Sequence, residues 1–567
     1  MTFKYNLIKN QSKSDLLKII ALLSVITWIA NFWYFRDLGL YLDDYQWTGK
    51  IIGYSTTQLI NIINWLFSSF FQGRPIGYSI LFISSFVSGK LFDLQSLYLF
   101  GYILVLINNL LYYIFLRQLW IQPIFCISGV LAYTLFPADN SRTWLASIEI
   151  LPAFTFLLLA FLSYFSEKKI LSYVFIIISL LCYETAFPLF LLAPLFKNQW
   201  NKQLNKKIII HFLVCSLIFA IYILIRKIFG DSRISNLDLI STLKLSIHQM
   251  LFGPLISLYM FVHQIFSLKL TTTILFLMVI AFICLFWIFT GLKSDKIKII
   301  DNAVILKKLA LLGIALLLLA YPLTLTVDAS VVSGDGSRVH NASAMGASIL
   351  FGLICYLVVT FFKNYRLHQL TLIVVAGYFS LLVSFGLTVQ NDNRLSWQYQ
   401  QAFWSDIVKL APDISDGIVI LVDSPSLNQV WGSQLHPFSE YVQVLPDLYK
   451  FPEKWKTLPS LYRLDSHWEK KVTTKGKIKL AKEDGLIYHG SLWYIAGPER
   501  ILETNDIILI QEKNGKLIRQ TEPLIINNIK YQFKPLTAST VQTFPKNYLY
   551  KDLIPKTPPE VNYLKPF

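Results

Sequence analysis

Residues 17–47 read LKIIALLSVITWIANFWYFRDLGLYLDDYQW. The first part, Leu17–Phe35, is almost wholly apolar and long enough to cross a hydrocarbon layer about 30 Å thick. It follows a basic start (Lys4, Lys9, Lys13, with Lys18 just inside) and has no small-residue cleavage site. Further apolar runs come after it, so it reads as a retained first helix and not a signal peptide. Directly beyond its far end stand two adjacent carboxylates, Asp43 and Asp44.

The same pattern repeats along the chain. Leu97–Leu116 and Thr271–Ile288 are also long enough to span. The 567 residues are 54% hydrophobic and only 15% charged, with a mean hydropathy of +0.50. A soluble protein would carry roughly a quarter charged residues. The expected fold is an α-helical polytopic membrane protein with a C-terminal mixed α/β extracytoplasmic domain. The net charge of +17 comes largely from short basic loops between apolar runs, the pattern of cytoplasmic loops, and does not point to nucleic acid. All five cysteines (Cys126, Cys182, Cys215, Cys284, Cys355) fall in apolar helices without metal spacing. They predict neither disulfides nor a zinc site.

Basic loops give the helices a direction. Lys168 and Lys169 mark one inside loop; Lys197, Lys202, Lys206 and Lys207 a second. Lys293, Lys296, Lys298, Lys307 and Lys308 mark a third, and Lys363 with Arg366 a fourth. These loops stay inside only if Pro75–Val87 lies along the outer leaflet. The first external loop then runs from Arg36 to about Ser96, with interfacial helices at Ser55–Phe71 and Pro75–Val87. Crossings follow at Leu97–Leu116, Ile121–Phe136, Trp144–Phe165, Ile170–Cys182, Ala186–Phe196 and Ile208–Ile225. His248–Phe266 is expected to be another interfacial helix. Thr271–Ile288, Ala303–Leu325, Ala342–Phe362 and Leu370–Leu387 complete about 11 transmembrane helices.

From residue 390 the composition turns rich in Pro, Asp, Lys and Tyr, so the expected domains are 1–389 in the membrane and 390–567 outside. Trp397–Leu410 has helical spacing. Gly417–Val422 before Asp423-Ser424-Pro425 reads as a strand and turn. Ile507–Gln511 and Leu524–Phe533, with Asn514-Gly515 between strand-like runs, predict hairpins. No internal repeat or low-complexity linker is visible.

Charges near hydrocarbon are costly and tend to be functional. Asp43 and Asp44 could take a proton from a hydroxyl, or hold a divalent cation (Mg or Mn) against a phosphate; they could equally form a solvated acidic turn. Arg74, in Gln72-Gly73-Arg74-Pro75, could pair with a phosphate, with the Asp pair, or with lipid headgroups. Asp139 and Arg142 lie in the short loop Phe136–Thr143. Asp139 could be a plain helix N-terminal charge. Glu149, one turn into the next helix, needs a partner such as Arg142 or a ligand. Glu184 stands at the turn between two short helices. Arg338 is a candidate phosphate ligand, and His340 beside it suits a helix-interface histidine. All map to the outer face. That arrangement suits an anionic, lipid-linked substrate at the outer leaflet, whereas a transporter more often places polar groups mid-membrane in broken helices.

The order of first helix, acidic pair, interfacial helices, Gly-Arg-Pro, two helices and short acidic loop resembles the GT-C superfamily of membrane glycosyltransferases. The resemblance covers about Leu17 to Leu387. It looks closest to the O-antigen glucosyltransferases, the lipid A aminoarabinose transferases and the protein O-mannosyltransferases. It implies an inverting glycosyltransferase of the cell envelope, in a bacterial-type inner or plasma membrane with the N-terminus cytoplasmic. A polyprenyl-phosphate sugar would be the donor, and a glycan, lipid or protein the acceptor. It implies Asp43 as the base, Asp44 as its assistant or a metal ligand, Glu149 as the second acidic residue and Arg338 on the donor phosphate. Tyr183 stands where relatives have Lys before the position of Glu184. Trp397–Gln401 also resembles bacterial relatives. A lipid-linked glycan polymerase or ligase, and a transporter or assembly protein, are the competing expectations.

Overall fold

The computed structural model describes residues 13–41, 43–197, 202–230, 238–292, 303–325, 327–363, 367–424, 444–464, 467–473, 477–480, 500–526, 529–536 and 541–564. Lys4, Lys9, Lys293, Lys296, Lys298, Arg366 and Pro425 lie outside them. Among the described residues, eight helices are long and apolar enough to cross a membrane. Three further apolar helices, Pro123–Thr134, Lys169–Cys182 and Glu184–Phe196, are shorter. In hydrocarbon no water is present to satisfy backbone N–H and C=O groups, so apolar spans close these bonds within a helix. This is a helical membrane protein whose C-terminal region carries small sheets.

The chain divides into two compact units. The first comprises residues 1–35, 56–84 and 96–391; the second comprises 36–55, 85–95 and 392–567.

In the first unit the principal helices are α1 (Lys13–Phe32), α2 (Thr56–Ser68), α3 (Pro75–Leu91, shared with the second unit), α4 (Ser96–Leu119), α5 (Pro123–Thr134), α6 (Leu151–Phe165), α7 (Lys169–Cys182), α8 (Lys202–Ile228), α9 (Leu239–His263), α10 (Thr272–Gly291), α11 (Ala303–Leu319), α12 (Ala344–Lys363) and the start of α13 (His368–Leu410). Small residues and side-chain hydrogen bonds hold the helices together, as expected where the surrounding lipid is as apolar as the side chains. A Cβ on Gly352 of α12 would lie 2.9 Å from the Phe125 carbonyl and 3.0 Å from Gly129 Cα on α5. One on Gly346 would lie 2.6 Å from the Gly313 carbonyl on α11. Asn109 donates to Thr27 Oγ1 (2.8 Å), joining α4 to α1. Asn108 donates to the Leu151 carbonyl (3.0 Å) and accepts from Thr155 (2.6 Å), joining α4 to α6.

Two helices differ from the expected boundaries. Most of the stretch expected to lie flat as His248–Phe266 belongs to α9, which starts at Leu239, ends at His263 and is about 37 Å long at 1.5 Å per residue. Asp238 starts it early by accepting from the Ser241 N–H at 3.0 Å, a cap that the intervening Ser, Thr and Lys residues obscure. Leu243, Ile247, Leu251, Leu255 and Tyr259 form one exposed apolar stripe along it. The separate helices expected at Leu370–Leu387 and Trp397–Leu410 are one 43-residue helix, α13. No Gly or Pro falls between Gly386 and Pro412, so the polar stretch Gln390–Arg394 does not interrupt it.

In the second unit, β1 (Val419–Asp423) is flanked by two parallel neighbours, β2 (Ser460–Leu464) and β5 (Ile507–Lys513). β6 (Lys516–Arg519) pairs antiparallel with β5, giving the order β2-β1-β5-β6. β1 is buried along its whole length, the expected state of a central parallel strand. Asn514 (φ 55°) and Gly515 (φ 75°) form the β5–β6 turn, the left-handed pair that a two-residue hairpin loop requires. Two smaller antiparallel pairs are β3 (Ile478–Leu480) with β4 (Arg500–Leu502), and β7 (Leu524–Ile526) with β8 (Ile529–Tyr531).

Burial raises the Asp447 carboxyl to about 7, against the lowering pull of the Tyr548 hydroxyl and of Lys50. Its Oδ1 accepts from Tyr548. Burial likewise raises Asp552 to about 6, with Lys551 opposing and Asp93 adding to the rise. A carboxyl whose folded pKa lies above its unfolded value favours the folded state most below pH ~4, and that advantage is lost as pH rises to about 7. Asp447→Asn is therefore expected to be more stable than the parent at pH 8. The gap should shrink toward zero near pH 4, as measured by thermal unfolding of the two proteins across that range. A gap independent of pH would rule this out.

Candidate functional site

The Gly73-Arg74-Pro75 turn is built for close approach. Phe70 (φ 48°), Gln72 (φ 49°) and Gly73 (φ 73°) are all left-handed. A Cβ on Gly73 would lie 2.4 Å from the Tyr222 hydroxyl and 2.7 Å from Arg226 Cδ. One on Gly77 would lie 2.7 Å from the Cys182 carbonyl and 3.0 Å from that of Glu149. Pro75, with no N–H to leave unpaired, opens α3. The turn thus presses Arg74 among the end of one 3₁₀ segment, the start of another and the end of α8.

There Arg74 makes a two-pronged pair with Glu184. Nε donates to Oε2 and Nη2 to Oε1, each at 2.8 Å. Its Nη1 lies 3.4 Å from Glu149 Oε1. The guanidinium carbon sits 4.0 Å from the centre of the Tyr183 ring, a cation–π contact in which a lysine would instead repel it. Arg226 adds a second cation, 3.9 Å from Glu184 Oε1, and donates to the Tyr222 hydroxyl at 3.2 Å. Burial works against the Arg74 charge, but Glu184, Tyr183 and Glu149 more than compensate and raise its pKa further. Two arginines and two glutamates make the cluster neutral overall. The carboxylates sit at breaks: Glu149 ends the 3₁₀ segment Leu145–Glu149, and Glu184 begins the segment Glu184–Leu192.

A second group lies in the same unit. Asp139 Oδ1 accepts from Ser141 N–H (3.0 Å) and Oγ (2.6 Å). Its Oδ2 is 3.6 Å from Arg142 Nε. Arg142 donates to the carbonyls of Thr134 and Tyr133, the latter at 2.9 Å, so it caps the last turn of α5. Asn140 ties this loop to the Asp335–Ser343 segment and the stretch before it: its N–H donates to Ser337 Oγ at 2.9 Å, and its Nδ2 to the Val332 carbonyl at 2.9 Å. A small pocket opens here, lined in part by Asn31, Thr134, Asp139, Asn140 and Arg142. Arg338, in the same segment, is partly exposed. His340 is buried, and its Nδ1 meets the Tyr321 hydroxyl at 2.7 Å and Ser257 Oγ at 3.2 Å, in keeping with an interface histidine.

Asp43 and Asp44 belong to the second unit. Their loop is held by α13. Gln400 accepts from the Tyr45 hydroxyl at 2.6 Å and donates to the Leu40 carbonyl at 3.3 Å. The Tyr41 hydroxyl donates to the Asn393 carbonyl at 3.0 Å. A Cβ on Gly39 would fall 1.9 Å from the Trp397 ring, so only glycine lets the loop lie flat there. The pair differs in burial: Asp44 is buried, and its Oδ2 accepts from the Tyr41 N–H at 3.1 Å, whereas Asp43 is half-buried.

Arg74, Glu149 and Glu184, singled out separately in the sequence, thus form one cluster. The partner of Glu149 is Arg74, not Arg142, because Arg142 is committed to α5 carbonyls. Tyr222 and Arg226 were missed: an arginine ending an apolar helix looks like an ordinary basic flank. Their spacing of four residues, which stacks them on one helix face, was the available signal.

No protein-family model matches the chain, and no curated protein or solved structure matches it.

Removing one member of a buried ion pair strands the other, at about 3–5 kcal/mol. Arg74→Met is expected to cost about that much, by thermal unfolding in detergent. Adding Glu184→Gln should recover part of the loss. A double variant less stable than Arg74→Met would show that pairing is not what holds this turn.

Proposed function

We propose that the protein is an inverting glycosyltransferase that moves a sugar from a polyprenyl-phosphate donor to a glycan, lipid or protein acceptor on the outer side of the membrane. The observation that carries this reading is the difference in burial within the acidic pair. Asp44 is spent on bracing its own loop. Asp43 is the half-buried member of the pair, on a loop clamped by Gln400 and Asn393. A base needs both access and a fixed position.

In this reading Asp43 takes the proton from the acceptor hydroxyl as that oxygen attacks the anomeric carbon. The bond to the phosphate oxygen breaks, and the electron pair leaves with polyprenyl phosphate. Arg338 offsets the charge that develops on the phosphate. The Arg74 cluster is already neutral and internally paired, so it serves to set the position of the turn, not to bind the donor. The order of features from Leu17 to Leu387 that resembles the GT-C superfamily supports the same assignment.

One observation favours a transporter instead. Buried charges at the 3₁₀ breaks Glu149 and Glu184 have the character of discontinuous transport helices. The two readings separate on a single residue.

Asp43→Asn is expected to lower release of polyprenyl phosphate by at least ~10²-fold across a panel of polyprenyl-phosphate sugars, with unchanged thermal stability. Arg338→Ala should also lose release. Full activity in the Asp43→Asn protein would sink the assignment.

A further inference from the structure

We propose that the carboxyl edge of the parallel sheet in the second unit is a divalent-cation site, ligated by Asp423, His467 and Glu469. It uses none of the residues assigned to sugar transfer and does not depend on that reading.

The topology points to this edge first. The chain runs from β1 to β2 on one side and returns past β1 to β5 on the other, all three strands being parallel. The strand order therefore reverses at β1. In open parallel sheets the crevice outside the carboxyl ends of the strands, at such a reversal, is where ligands bind. Asp423 is the last residue of β1, and its register partners are Leu464, the last residue of β2, and Gln511 of β5.

The side chains converge there. His467 comes three residues after β2, and Glu469 lies in the 3₁₀ turn Trp468–Lys471. Between them Trp468 is fully buried against Tyr531 and Phe533, with ring centres 5.4 and 5.0 Å away. This anchor fixes the turn and leaves its two neighbours facing solvent. One donor atom from each of Asp423, His467 and Glu469 lies within 4.8 Å of the others. Asp423 Oδ1 and His467 Nδ1 are 3.3 Å apart, close to the ~3.4 Å between donors on a tetrahedral ion with bonds of about 2.1 Å.

The surroundings suit a cation as well. Asp423 is buried, and its Oδ2 accepts from Gln511 Nε2 at 3.0 Å. An outer hydrogen bond of this kind orients a ligating carboxylate and leaves its other oxygen for the metal. His467 and Glu469 are exposed, so an ion can enter from water and keep at least one position for water or another ligand. Two carboxylates and one imidazole, with no thiolate, suit Zn²⁺ or Mn²⁺. A plain His467–Asp423 ion pair is the competing account.

The test is equilibrium dialysis of the tag-free, full-length protein in detergent, stripped with chelator, against Zn²⁺ alone and Mn²⁺ alone. About one ion per chain is expected, with a metal-dependent rise in unfolding temperature. His467→Ala and Glu469→Gln alter exposed side chains and should fold normally; each should weaken binding at least ~10-fold. Asp44→Asn should bind like the parent. Failure of the parent to bind at one per chain, unchanged binding in both His467→Ala and Glu469→Gln, or loss of binding in Asp44→Asn alone would each overturn the proposal.

Discussion

A guanidinium removed from water keeps its charge only where carboxylates face it, and Arg74 meets two, on segments 75 and 110 residues further along the chain. Much of the local architecture follows from that demand. The left-handed backbone at Phe70, Gln72 and Gly73 brings the turn down onto its partners. Gly73 and Gly77 remove the side chains that would hold it off. Both glutamates sit at helix breaks, where the chain can turn its carboxylates toward a common point. Arg226 restores neutrality. None of these features is explicable alone; each is what the buried cation requires of its neighbourhood.

The same logic separates residues that bind from residues that brace. Arg142 is charged, sits at a loop and lies beside a pocket, yet its donors go to the end of α5, and Asp139 Oδ1 goes to Ser141. Asp44 is spent on Tyr41. Its neighbour Asp43 is only half-buried, so the two adjacent carboxylates differ in what they can offer a ligand. Glu184 and Arg74 likewise hold each other across the turn.

Local signals were legible in the sequence. Leu17–Phe35 announced a helix through its apolar length, and Asn514-Gly515 announced a hairpin through its need for positive φ. Arg74, Glu149 and Glu184 were visible as charges too costly to be incidental. What stayed hidden was long-range or masked by local chemistry. Nothing near Arg74 in the sequence says that its partner lies at Glu184. The parallel pairing of β1 with β2 and β5 leaves no trace in five-residue apolar strands, which suit either direction. The early start of α9 was concealed because Asp238 and the Ser and Thr after it look like a loop until the cap is seen. The polar run Gln390–Arg394 suggested a helix end, although only Gly or Pro would have forced one.

The glycine contacts at Gly352 and Gly346 bear on motion. Where backbones touch directly, a helix can neither slide nor roll without collision, so α5, α11 and α12 form a rigid spine. α8 is different: only 17% of the apolar window within Gln203–Ile228 is buried by protein, and Ile209, Phe212, Leu217 and Leu224 on its outer face are exposed. Of the eight long apolar helices among the described residues it has the smallest share buried by protein, so protein packing restrains it least. Arg226, near its end, reaches the buried cluster, so any displacement of that end of α8 would have to loosen the ion pairs around Glu184.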